Sequence, residues 1–297
     1  MRVAPAAGLT AAVLAVSSCS INIDHEGYIE REEKRFPATA MVSLHLYTFD
    51  GSIEVRSWDK PEVLVEVEKR GEDKEAVAKI QVLSDRNAER IQVEARHPSG
   101  RTTWVGIGSH RAPSARLIAT LPRKANLVVR TGDGSVVVER VQGRLELRTG
   151  DGSIRVLETA GELLAETSDG SIQLDDVAGK IEARTNDGSV RVSGTPSVLR
   201  ARTGDGSMVV RIRRGAAMTE DWMVTTNDGS ISVELPEGFN AEIEADPGSD
   251  GRTRSDLLLA NLTGGTRDHR TLRGRLGTGG KLFTLRTGDG TIRLTNY

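Results

Sequence analysis

The chain has 297 residues, a formal net charge of −2 and 37% hydrophobic residues. Three Trp, three Tyr and four Phe stand against 32 Gly, too few aromatics for a compact globule, so a narrow core of Val, Ile, Leu and Ala is expected. The near-neutral charge excludes a general nucleic-acid role, and a single cysteine excludes an internal disulfide framework.

The chain opens with Met1-Arg2, a short positive start, followed by an uncharged run from Ala4 to Val16. A helix needs about 20 apolar residues to span a bilayer, so this run suits the apolar region of a secretory signal instead. It ends at Val16-Ser17-Ser18-Cys19, which resembles a bacterial lipobox. The resemblance implies that residues 1–18 are a lipoprotein signal peptide. It also implies lipid on Cys19 and a membrane partner reached through that lipid. Several acyl chains anchor stably where one does not. Ser20 is of the type that accompanies outer-membrane delivery in such proteins. Residues 19–38, with the charged run Glu30 to Arg35, read as a tether.

Residues 39–126 read as a strand-rich N-terminal cap that covers open sheet edges. Met41 to Glu68 alternates, Asp73 to Ile80 fits a short helix, and Ile91–Ala95 and Leu117–Leu121 read as strands. Between them, His97 to Arg116 is irregular and carries Arg101, Trp104, His110 and Arg111.

From residue 127 onward a repeat takes over. Asp-Gly recurs at Asp133, Asp151, Asp169, Asp187 and Asp205, always 18 residues apart, within the pattern Thr-x-Asp-Gly-Ser-apolar-x-apolar. A second short strand per repeat is marked by Leu145 and Leu147, Leu163 and Ala165, Ile181 and Ala183, and Leu199 and Ala201. Further copies at Asp50, Asp228 and Asp289 have irregular gaps. A fixed period of this size signals a repeat architecture, and period-two alternation signals strands with one buried face. Two folds accommodate it. In a parallel β-helix or β-solenoid of 18-residue coils, corresponding residues stack about 4.8 Å apart. In an antiparallel meander each Asp-Gly is a hairpin turn. The meander sets Arg148 opposite Arg155 and Arg184 opposite Arg191, which disfavours it, although stacked coils place Arg184 over Arg202. The solenoid is the expected fold for residues 127–297, with an irregular loop at 246–280 and a return to the pattern at Leu282 to Leu294.

The set of repeats, with Phe49-Asp50-Gly51-Ser52-Ile53-Glu54-Val55-Arg56-Ser57-Trp58-Asp59, Pro61 to Lys69, the Leu121-Pro122 step and Arg286 to Leu294, resembles the putative-adhesin β-strand repeat family, a bacterial domain of unknown function. The resemblance covers residues 40 to 297 and implies a parallel β-helix-like body at the cell envelope.

The chemistry-bearing residues form no enzyme constellation. His25, His45, His97, His110 and His269 are scattered, with no zinc-ligand spacing, no Gly-x-Ser-x-Gly elbow and no phosphate loop. Stacked aspartates suggest a calcium ladder or an acid/base pair. Against that, each Asp can serve its own turn by accepting backbone hydrogen bonds, with Gly supplying a positive φ. Neither a cofactor nor a metal is expected. The residues assigned to ligand binding are Arg101, Trp104 and Arg111 in one irregular segment and Arg252, Arg254, Arg267, Arg270, Arg273 and Arg275 in the other, suited to anionic polysaccharide, lipid headgroups or phosphate, with an envelope glycan or protein as the expected partner. The expected function is a lipid-anchored, non-enzymatic adhesion or interaction scaffold. The alternatives are a polysaccharide-acting enzyme on a β-helix, which rests on fold analogy, and a structural or sensory envelope component.

Overall fold

The computed structural model describes residues 19–24, 27–38, 41–87, 90–97, 112–263 and 271–297. The signal-peptide reading of 1–18 and the site candidates Arg101, Trp104, Arg111, Arg267 and Arg270 lie outside the described residues.

The first part of the chain contains β1 (Cys19–Asp24), β2 (Gly27–Pro37), β3 (Val42–Thr48), β4 (Ile53–Trp58), β5 (Glu62–Gly71), α1 (Lys74–Ala78), β6 (Gln81–Asn87), β7 (Arg90–Arg96) and β8 (Ser114–Pro122). The repeats supply β9 (Ala125–Arg130), β10 (Val136–Glu139), β11 (Gln142–Arg148), β12 (Ile154–Leu157), β13 (Ala160–Glu166), β14 (Ile172–Arg184), β15 (Val190–Asp205), β16 (Met208–Ile212), β17 (Trp222–Asp228) and β18 (Ile231–Leu235). The last part holds β19 (Ala241–Asp246), β20 (Arg252–Ser255), β21 (Leu259–Thr263), β22 (Leu272–Leu276), β23 (Leu282–Asp289) and β24 (Thr291–Asn296).

The repeats form a β-solenoid. Strand β10 pairs in parallel with β12 through Val136↔Ile154, β12 with β14 through Ile154↔Ile172, and β14 with β15 through Ile172↔Val190. The second strand of each coil follows the same rule, with Leu145↔Leu163↔Ile181↔Leu199 in register. Each 18-residue step is therefore one turn of chain, and the antiparallel meander does not occur in the repeats. Alternation sends Leu145, Leu147, Ile154 and Val156 of one coil inward, each 2% exposed or less. Their outward neighbours are charged, as in Glu146, Arg148 and Arg155. A coil of this size buries too little to fold alone, so stability comes from stacking on neighbours.

The stacking order departs from chain order at both ends. Strands β3 and β4 lie between β7–β8 on one side and β9–β10 on the other. At the far end β23 and β24 lie between β17–β18 and β19–β20. The irregularly spaced repeats are thus full members of the column, inserted one coil inward from each end.

The N-terminal cap is built as antiparallel cover. Strand β5 pairs with β8, β2 with β5, β1 with β2, and β6 with β7. The helix α1 starts where the Asp73 carboxylate accepts a hydrogen bond from the Ala76 amide at 2.8 Å. Two expectations are corrected here. Residues 27–37, read as part of the tether, form a paired strand. Its charged run faces the charges of β5, and Lys69 Nζ reaches Glu30 at 3.2 Å and Glu32 at 3.3 Å. Residues 246–280, read as an irregular loop, contain β20, β21 and β22.

Candidate functional site

The Thr-x-Asp-Gly-Ser corner is built for stacking. Thr149, Thr167, Thr185 and Thr203 are buried in a column. Each hydroxyl donates to carbonyls one coil back, as from Thr167 Oγ1 to the Gly152 oxygen at 2.9 Å and from Thr203 Oγ1 to the Gly188 oxygen at 2.8 Å. Gly51 and Gly229 have the expected positive φ, +119° and +147°, but in the regular repeats the glycine after the aspartate is required for a different reason. Gly152, Gly170 and Gly188 do not adopt the left-handed conformation that a positive φ would require. A Cβ at Gly188 would instead sit 2.0 Å from the Gly170 carbonyl oxygen. Coil-to-coil contact at this corner leaves no room for a side chain.

The aspartates themselves point to solvent. Asp133, Asp151, Asp169, Asp187, Asp205, Asp228 and Asp289 are exposed, with Asp205, Asp228 and Asp289 in direct register. Asp50 is half-buried. Burial pushes its carboxyl up, and so does the neighbouring charge of Asp133, against a hydrogen bond from the Gly51 amide. Among the described residues no group of three or more His, Cys, Asp or Glu is arranged to hold a metal ion.

His45 stands on the outer face of β3 between Ser43, 3.1 Å from Nε2, and Tyr47, 3.2 Å from Nδ1. Burial, then Arg90 and Arg130, hold its pKa below the ordinary imidazole value. These are neighbours two residues apart on one strand face. Trp222 is buried against Phe239 and Phe283, and its indole N–H donates to the Ser197 carbonyl at 3.1 Å. Trp58 donates to the Glu62 carbonyl at 2.7 Å. Trp222 is a packing residue, whereas Trp58 is half-buried with Lys60 Nζ over its ring, 4.8 Å from the centroid.

The outer faces are laced by ion pairs between coils, including Arg130–Glu146 at 2.8 Å, Lys180–Glu162 at 3.1 Å and Arg184–Glu166 at 3.0 Å. The arginines assigned to binding divide against this background. Arg273 and Arg275 lie on β22 and are engaged, with Glu244 at 3.3 Å and Glu242 at 2.9 Å. Burial raises the Glu244 carboxyl, but hydrogen bonds from Arg286 and Arg273 outweigh it and hold the group below the usual carboxylate range. Arg252 and Arg254 lie on β20 and line a cavity of about 740 Å³ together with Thr253, Ser255, Leu257 to Ala260, Leu262 and Leu272. Among the described residues, Arg252 and Arg254 thus line the cavity, while Arg273 and Arg275 are held by carboxylates of β19. The described strands that bracket the two irregular segments sit at opposite ends of the column.

Sequence reasoning missed the apolar wall of this cavity. Its signal was the run Leu257-Leu258-Leu259-Ala260-Asn261-Leu262, which breaks the alternation of the repeats. Leu258 is 94% exposed and Leu262 44%. Cys19 opens β1, and no described helix is long and apolar enough to cross a membrane.

A model of the Toastrack DUF4097 family matches residues 42–295. No curated protein matches the chain. A crystal structure described as a putative lipid binding protein from Parabacteroides distasonis is 12% identical, covers 89% of this chain and 96% of its own, and has a TM-score of 0.46. Structures described as putative adhesins come from Bacteroides fragilis and Parabacteroides merdae. The first is 11% identical, covers 90% of this chain and 97% of its own, and has a TM-score of 0.40. The second is 10% identical, covers 90% and 96%, and has a TM-score of 0.31.

Proposed function

Starting from the fact that the chain belongs to the Toastrack DUF4097 family, we propose that it is a non-enzymatic interaction scaffold of the bacterial envelope, anchored through lipid on Cys19. The observation that carries this reading is the division of labour along the column. The repeat motif is used for stacking through buried threonines and close-packed glycines, while a cavity with cationic flanks opens at one end. A rigid column lifts such an end away from a membrane, and binding residues on a rigid support lose little freedom when a partner docks. The use of the repeated Thr and Gly positions for stacking supports the scaffold part, and the lipobox at Val16 to Cys19 supports the anchor.

The test has two arms. The full chain is screened against arrays of envelope glycans and envelope proteins, and the same samples are assayed for released reducing ends. The reading expects saturable binding without turnover. Release of reducing ends, or no binding across both arrays, overturns it. In the second arm, Cys19→Ser is expected to shift the protein from the membrane fraction to the soluble fraction, and an unchanged distribution overturns the anchor.

A further inference from the structure

The cavity lies beside a strand edge that has no partner among the described residues. Among the described residues β20 pairs only with β24. The Arg252 amide donates to the Gly290 carbonyl at 3.0 Å and the Asp256 amide to the Leu294 carbonyl at 2.9 Å. In a parallel ladder alternate residues bond to the same neighbour, so the amides of Thr253 and Ser255 face the opposite, open side. The two faces of this edge differ sharply. Thr253 and Ser255 are in register with the buried Ile292 and Leu294 and half-buried on the inner face, and the cavity beside this edge is walled by leucines and flanked by Arg252 and Arg254. The Thr253 hydroxyl is buried there without a hydrogen-bond partner among the described residues. Arg254 is in register with Arg293 on the outer face, and Arg252 lies two residues before it. Among the described residues none of these three arginines has an ion pair, whereas Arg273, Arg275 and Arg286 all do.

We propose that β20 is a docking edge for an extended segment of a partner protein in which apolar and acidic residues alternate. The proposal rests on the scaffold reading and names the partner class. The partner's main chain would bond to the Thr253 and Ser255 amides. Its apolar side chains would enter the leucine-walled cavity, and its carboxylates would lie over Arg252 and Arg254. Strand addition of this kind takes affinity from the main chain and specificity from alternate side chains. An acyl chain would fill the cavity but offers nothing to the free amides, so a polypeptide accounts for more of the geometry. Edge charges also discourage indiscriminate pairing, which leaves an acidic strand as the complementary one.

The test uses the full chain and fluorescein-labelled peptides in which Glu alternates with Leu, Val, Ile or Phe, read by fluorescence anisotropy. At least one such peptide is expected to bind saturably, and its Lys-for-Glu counterpart to bind about tenfold more weakly or worse. The double variant Arg252→Glu, Arg254→Glu should reverse that preference, which also shows that it is folded. Thr253→Pro removes an amide outside the β20–β24 ladder, a position where proline is tolerated, and should abolish binding. N-methylation of alternate peptide amides should do the same without altering the protein. The proposal is overturned if no acidic alternating peptide binds. It is also overturned if N-methylated peptides bind equally well, or if palmitate or anionic vesicles bind while peptides do not. A glycan or folded protein captured elsewhere on the column would leave the scaffold reading standing after such a failure.

Discussion

The hydroxyl of Thr185 donates to the carbonyl oxygen of Gly170, one coil back, at 2.9 Å, and accepts from the amide of Gly188 at 3.2 Å. One side chain thus ties two coils together and closes its own turn. Replacement by the near-isosteric Val keeps the volume and leaves the carbonyl without that donor, a loss of about 1–2 kcal/mol. Thr185→Val should lower the urea midpoint accordingly with an unchanged m-value. A midpoint equal to the parent's would mean that the hydroxyl contributes nothing to stacking.

At the same corner Gly188→Ala should be far worse. Its Cβ would meet the Gly170 carbonyl carbon at 2.5 Å as well as the oxygen, both backbone atoms that cannot swing aside. Forced overpacking of this sort costs about 3 kcal/mol or more. Gly215 provides the control, since its φ is +91° but nothing lies within 4 Å of an added Cβ. Thermal denaturation of both alanine variants should show the larger loss at Gly188. The reverse ranking would contradict the close-approach account of the repeat glycines.

The cap should respond to acid through Glu68. Burial raises its carboxyl, but hydrogen bonds from Arg70 at 2.6 Å and Arg31 at 2.7 Å outweigh this and hold it below the usual range. A depressed pKa means that the unfolded chain binds the proton more readily. The stabilisation is therefore complete above the ordinary Glu value of about 4.3 and is lost as pH falls through the depressed one. Midpoints measured from pH 7 to pH 3 should fall more steeply for the parent than for Glu68→Gln. Parallel curves would remove Glu68 from the account.

Asp50 should behave in the opposite sense. Its carboxyl is raised, first by burial and then by Asp133, so the folded chain holds the proton more tightly than the unfolded one. Stability falls as pH rises through that interval, and the ionised group remains a burden at neutral pH. Asp50→Asn should stabilise the protein at pH 7 and have no effect below the unfolded value of about 3.9. Destabilisation at pH 7 would show that the carboxylate has a favourable partner instead.

How much of this was readable in advance follows from what each feature depends on. The 18-residue coil was legible because stacking requires the same residue type at the same corner each turn, and Thr185, Gly188 and Ile181 recur accordingly. The solenoid followed from that period and from alternation. Positive φ holds at Gly51 and Gly229, but for Gly152, Gly170 and Gly188 the reason is the close neighbouring coil, which a single Asp-Gly turn does not reveal. The insertion of β3–β4 and β23–β24 was illegible, since a periodic pattern identifies a coil without naming its neighbours. Residues 27–37 were misread because a charged run looks the same whether it is solvated or laddered against β5. Composition singles out the arginines of 252–275 alike. That Arg273 and Arg275 are ion-paired depends on Glu244 and Glu242, which lie on β19, outside the arginine-rich stretch.

The column and its inserted C-terminal coil support the rest of the account, and a cross-link tests them most directly. Asp228 and Asp289 are in register on β17 and β23 and exposed, at a strand spacing of about 4.8 Å that suits a disulfide. In a Cys19→Ser background, the pair Asp228→Cys, Asp289→Cys should oxidise readily to an intramolecular disulfide, whereas Asp228→Cys with Asp250→Cys should not. Efficient closure of the second pair and failure of the first would mean that the coils follow chain order, contradicting the arrangement that leaves β20 as an open edge among the described residues.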